Sequence, residues 1–137
     1  MKRDIITDPM LLSRKSVPAM QEDIQTAQDL LDTVIAHADH CVGMAANMIG
    51  VCKRIMAAQI GGKYQILINP EITDHSAQKY TAEEGCLSLK GVRTTERYAV
   101  ITVSYYDEKF RKKMRTFRGF EAQIIQHEMD HFEGILI

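Results

Sequence analysis

Tryptophan is absent from this chain of 137 residues, and cysteine (three), proline (three) and glycine (eight) are sparse. Cys41, Cys52 and Cys86 stand at unrelated positions, which excludes a disulfide framework and fits a reducing cytoplasm. With no Pro-rich or Gly/Ser-rich linker, residues 1–137 are expected to form one domain with a modest core. No apolar run is long enough for a signal peptide or a membrane span. Charge of one sign is also missing: 17 Lys and Arg against 18 Asp and Glu leave a formal net charge of −1, so there is no electrostatic case for a nucleic-acid or membrane partner. The local run Lys109, Arg111, Lys112, Lys113 and Arg115 reads as the solvated rim of a hairpin rather than an RNA-binding patch.

What the chain does have is regular patterning. Ile24, Ala27, Leu31, Val34, Ile35 and Ala38 recur at helical spacing behind Glu22 and Asp23, which predicts an amphipathic helix over Met20 to Ala38. Arg54 to Ile60 and Tyr64 to Ile68 flank Gly61-Gly62-Lys63 and read as a hairpin. Ala99 to Tyr106 alternates in strand fashion, then turns at Asp107-Glu108-Lys109 into Lys112 to Phe117. Helix, strands and a final helix imply an α+β fold. Antiparallel β-sheets would pack around a central metal-binding helix, the second in the chain, with one N-terminal amphipathic helix.

The metal reading comes from Gln126-His127-Glu128-Met129-Asp130-His131. Side chains four apart lie on one helix face, so both imidazoles can reach one ion. Glu128, offset by about 100°, can handle protons for water at that ion without being a ligand. With Ile124 as origin of a helical wheel, Phe120, His127, Glu128 and His131 fall within roughly 60° of it, on the apolar stripe. The alternative is a pair of core histidines satisfied by backbone carbonyls. A two-histidine site needs a third protein ligand, and Cys86 in Glu84-Gly85-Cys86-Leu87-Ser88 is the best candidate, the alternative being a buried structural thiol. His37, His40 and His75 are expected to be exposed, Cys52 to be core, and Cys41 to be a partly exposed thiol.

Three ordered segments carry a resemblance: Gly43-Met44-Ala45-Ala46, then Glu84 to Ser88, then Gln126 to His131. They resemble the motifs of the peptide deformylases, and the similarity runs from around Asp8-Pro9 to Gly134. The resemblance implies a metal-dependent hydrolase that removes the formyl group from N-formyl-methionyl peptides or nascent chains. It makes Cys86, His127 and His131 the ligands of one divalent ion, Fe²⁺ in the family with Zn²⁺, Ni²⁺ or Co²⁺ able to substitute; ligand types alone favour zinc. Glu128 becomes the general base turned acid, and the Leu87 backbone N–H a donor to the oxyanion. Gly43 joins them among the catalytic positions. The methionine side chain would enter a pocket lined by Val42, Phe120 and Ile124. Gln123 is polar there, where the family usually has an apolar residue. The segment around Gly43 and from Gly85 to Leu87 would offer the peptide a strand edge.

The first motif departs from the family. Met48 stands where the family has a glutamine whose amide donates to the developing oxyanion, and a thioether cannot donate. Asn47 is no substitute if the segment is extended, because neighbouring side chains then point to opposite faces. Cys41 replaces the first glycine of that motif. One lost oxyanion donor costs about 10²- to 10³-fold in turnover. Two readings follow: a deformylase, with reduced activity, or a catalytically impaired homologue that binds metal or peptide without significant turnover. A structural module would require three ordered motifs to coincide by chance.

Overall fold

The computed structural model describes residues 1–136 apart from Leu87. Two short helical segments open the chain. In α1 (Pro9–Leu12), Asp8 accepts a hydrogen bond from the Met10 amide at 2.9 Å and Pro9 supplies a fixed φ, an N-terminal stop-and-start signal that holds even one turn of helix. A 3-10 turn at Gln21–Asp23 then leads into α2 (Ile24–Ala36). The helix expected over Met20 to Ala38 is thus present with a shorter regular body, but it is not the sole N-terminal helix, since α1 precedes it and the last helix is the third. Its buried stripe is Ala27, Leu30 and Val34 with Asp29 and Thr33, while Ile35 faces outward. Thr33 donates its hydroxyl to the Asp29 carbonyl and Arg3 pairs with the Asp29 carboxylate, so the polar residues on that stripe are satisfied.

Five antiparallel strands form the main sheet, in the order β1 (Gly43–Ala45), β2 (Ile55–Ile60), β3 (Lys63–His75), β6 (Val100–Tyr106) and β7 (Lys112–Arg118). A separate hairpin joins β4 (Lys79–Cys86) to β5 (Leu89–Tyr98). The β2–β3 turn follows from Gly61 and Gly62, both at positive φ, which matches the twist of a two-residue hairpin and pairs Ile60 with Lys63. The expected β6–β7 hairpin is also present, its turn fastened by Asp107 Oδ1, which accepts from the amides of Lys109 and Arg111. The cationic run lies along this exposed rim, as expected.

The last element, α3 (Gly119–Phe132), carries the two histidines. Both faces of β2 are covered, and this explains its nearly continuous apolar sequence. Ile55 and Ala57 join the cluster under α1 and α2, whereas Met56, Ala58 and Ile60 join Ile125 and Phe132 of α3 on the other face. Helices on both faces of one central sheet therefore set α3 beside β1 and bring the β4–β5 hairpin against α3, where the buried Gln126 bonds the Tyr98 amide and carbonyl.

Candidate active site

Helical periodicity puts His127, Glu128 and His131 on the buried side of α3, with Ile124 one turn earlier. Phe120 shares that face but is 58% exposed, since it lines the open cavity and not the packed core. Cys86 arrives from the end of β4, where the strand pairing shifts register between Gly85 and Cys86. The Cys86, His127 and His131 ligand atoms all lie within 4.8 Å of one another. The two imidazole Nε2 atoms are 3.1 Å apart. Two nitrogens and one sulfur converging in this way suit a single divalent transition ion, so the residues present fit such a group.

The orientation of His127 is fixed from behind. Its Nδ1–H donates to Glu84 Oε1 at 2.7 Å, which leaves Nε2 as the lone-pair donor toward the ligand cluster. Glu84 is gripped in turn by Arg97, through Nη2 at 2.7 Å and Nε at 3.0 Å, and Arg97 reaches Asp130 at 2.6 Å. This buried chain binds β4, β5 and α3 into one frame. Burial alone would raise the Glu84 carboxyl, but His127 and Arg97 outweigh it and hold it down at about 2. Burial opposes charge on His127 as well, yet Cys86, Glu84 and Glu128 hold it up at about 10, while burial and the neighbouring His127 depress His131 to about 3.

Glu128 is buried, its carboxyl pushed up to about 7 chiefly by burial, and its Oε1 has no hydrogen-bond partner among the described residues. A Cβ at Gly43 would sit 2.7 Å from Ile124 Cγ2 and 3.0 Å from Glu128 Oε2, so only glycine lets β1 approach the glutamate this closely. Near-neutral affinity for a proton, a free oxygen and a position beside the metal ligands are the properties of a general base.

Met48 faces the same place. Its sulfur lies 4.0 Å from Cys86 Sγ and it is fully buried. Its neighbour Asn47 does not, though for a different reason from the one the sequence suggested. Residues 46–49 form a 3-10 turn and not an extended segment, and the Asn47 amide donates to the His131 carbonyl at 3.0 Å. Cys41 is buried rather than partly exposed; its thiol donates to the Gly43 carbonyl, and burial pushes it up to about 12. Cys52 is half-buried and not core.

A cavity of about 460 Å³ opens in front of the ligands, lined among others by Val42, Gly43, Gly85, Phe120, Gln123 and Ile124. The positions picked out from the sequence are therefore gathered on one cavity, with His131 behind it and Leu87 outside the described residues. His40, expected to be exposed, is exposed, but at the cavity wall. Arg97 and Asp130 carry no signal of this role in the sequence, and Glu84 stands there only as a motif residue. The signal that could have found Glu84 is the need of a ligating imidazole for an acceptor on its second nitrogen.

The family described as Polypeptide deformylase matches residues 3–137. A peptide deformylase of Clostridium beijerinckii is 50% identical over 137 residues, covering 100% of both chains. Among solved structures, a peptide deformylase from Thermotoga maritima superposes with a TM-score of 0.89 at 29% identity, covering 99% of this chain and 95% of that one. A class I type b peptide deformylase from Acinetobacter baumannii, with Met-Ala-Ser bound, gives a TM-score of 0.88 at 26% identity over 99% and 97% of the two chains.

Proposed function

The chain belongs to the peptide deformylase family, metal-dependent hydrolases that remove the formyl group from N-formyl-methionyl peptides, and on that premise we propose how its own residues divide the work. Cys86, His127 and His131 hold one divalent ion, with Glu84 keeping His127 in the metal-binding tautomer. Such an ion, when bound, supplies a Lewis acid that polarises the formyl carbonyl and acidifies water. By family resemblance it is Fe²⁺, and Zn²⁺, Ni²⁺ or Co²⁺ can substitute.

Glu128 takes the proton of the attacking water as its oxygen bonds to the formyl carbon. As the C–N bond breaks, Glu128 returns that proton to the departing amine, leaving formate and a free N-terminus. Its burial supports this role, because a carboxyl near 7 can both accept and release a proton at neutral pH. The Leu87 backbone N–H is assigned the oxyanion by its place in the motif. Val42, Phe120, Gln123 and Ile124 receive the methionine side chain, and Gly43 and Gly85 offer backbone to the peptide, in keeping with the Met-Ala-Ser ligand of the A. baumannii protein.

The substrate is a formyl-methionyl peptide or nascent chain. Residues 1–137 act as one domain in the cytoplasm, where the free thiols Cys41, Cys52 and Cys86 stay reduced. No helix among the described residues is long and apolar enough to cross a membrane. The observation that carries the reading is the N₂S cluster with, beside it, a Glu128 oxygen that has no partner among the described residues. A second reading, slow turnover, is favoured by the buried thioether of Met48 next to Cys86. Formate release from formyl-Met-Ala-Ser that a chelator stops and Fe²⁺ restores tests the reading; release unaffected by chelation contradicts it.

A further inference from the structure

One polar contact at the cavity wall serves neither the ligands nor their supports. Tyr80 on β4 donates its hydroxyl hydrogen to Gln123 Oε1 on α3 at 2.9 Å, across 43 residues of sequence. Gln123 lines the cavity one turn before His127, beside the apolar Val42, Phe120 and Ile124, in a lining that also carries the polar His40, Glu83 and Glu84. Tyr80 is not itself part of that lining. Burial and the charge of Glu84 push the Tyr80 hydroxyl up, so it keeps its proton and acts as the donor.

That contact fixes the polarity of the amide. With Oε1 turned to Tyr80 and one of its lone pairs used there, the Nε2 end, with two hydrogens, is turned away from Tyr80. Among the described residues the Gln123 side chain makes no other hydrogen bond. An amide placed this way beside apolar side chains gains a partner only if the guest side chain carries an acceptor, and it loses its bond to water without replacement if the guest is pure hydrocarbon.

We propose that Gln123 is a specificity-determining residue whose Nε2–H donates to the thioether sulfur of the substrate's first side chain, with Tyr80 the positioning residue that turns the amide that way. The proposal rests on the deformylase reading above. It separates methionine from norleucine, which has the same length but a methylene in place of sulfur. Apolar contacts with Val42, Phe120 and Ile124 depend on buried area and give the thioether no advantage over the methylene.

The test is kcat/KM of the metal-loaded enzyme on formyl-Met-Ala-Ser and formyl-norleucine-Ala-Ser. Wild type should favour methionine by about three- to ten-fold, the range that one net hydrogen bond gives, and Gln123→Leu should bring the ratio to about one. Tyr80→Phe, which frees the amide without changing the cavity lining, should give an intermediate ratio. A merely structural role for Tyr80 would slow both peptides alike and leave the ratio where it was. A wild-type ratio of about one, or a ratio unchanged in Gln123→Leu while both peptides are turned over, overturns the proposal. Turnover of neither peptide by metal-loaded wild type overturns the deformylase reading and this inference with it.

Discussion

The sulfur of Met48 lies 4.0 Å from the sulfur of Cys86. A side chain with no hydrogen to donate therefore sits against the thiol proposed as a metal ligand, on the cavity wall. Met48→Gln should raise kcat on formyl-Met peptides by about 10-fold or more, toward the 10²- to 10³-fold that one such donor is worth. Metal content should stay the same. No gain, with metal still bound, would show that position 48 does not reach the oxyanion.

In the proposed reading Glu128 handles the proton and not the ion, since the three-donor group forms without it. Glu128→Gln keeps the size of the side chain and removes its basicity. The variant should retain its metal and lose at least about 10²-fold in kcat. Metal and activity falling together would instead make Glu128 a ligand or a support.

The Glu84–Arg97 pair predicts a pH dependence of stability. The folded-state carboxyl is depressed from its ordinary value near 4.5 to about 2. On acidification the unfolded chain therefore takes up this proton first, and stability present above pH 4.5 is lost as pH falls toward 2. Glu84→Gln removes one of the two carboxylates that face Arg97, Asp130 remaining at 2.6 Å, and should cost up to about 3 kcal/mol at neutral pH, the low end of what loss of one member of a buried pair costs. Urea unfolding of the metal-free proteins should show that gap narrowing through the acid window. Parallel stability curves for the two proteins would count against the pair.

How much of this could be read in advance depended on how local each signal was. The His127–Glu128–His131 face needs only the helix period, and the Gly61-Gly62 turn and the alternation in β6 need only the strand period. The β4–β5 hairpin was largely invisible, because the polar run of Glu83, Glu84, Arg93, Glu96 and Arg97 gives it no apolar alternation. Arg97 becomes a support only through Glu84, 13 residues away, and Asp130, 33 residues away, and no periodicity encodes such distances. In the first motif the fold overrode a local guess: a 3-10 turn at Ala46–Ile49 sends Asn47 to brace the His131 carbonyl and leaves Met48 alone facing Cys86. Leu30 rather than Ile35 is buried in α2 because the sheet meets the helix slightly to one side of the stripe chosen from the sequence.

The central claim is that Cys86, His127 and His131 hold the ion on which deformylation depends. Metal content and formate release, measured together on wild type and on Cys86→Ala, test it most directly. The account predicts about one divalent ion per wild-type chain, and loss of most of the metal and of formate release in the variant, because a three-ligand site has lost its only sulfur. Unchanged metal content in Cys86→Ala would contradict it.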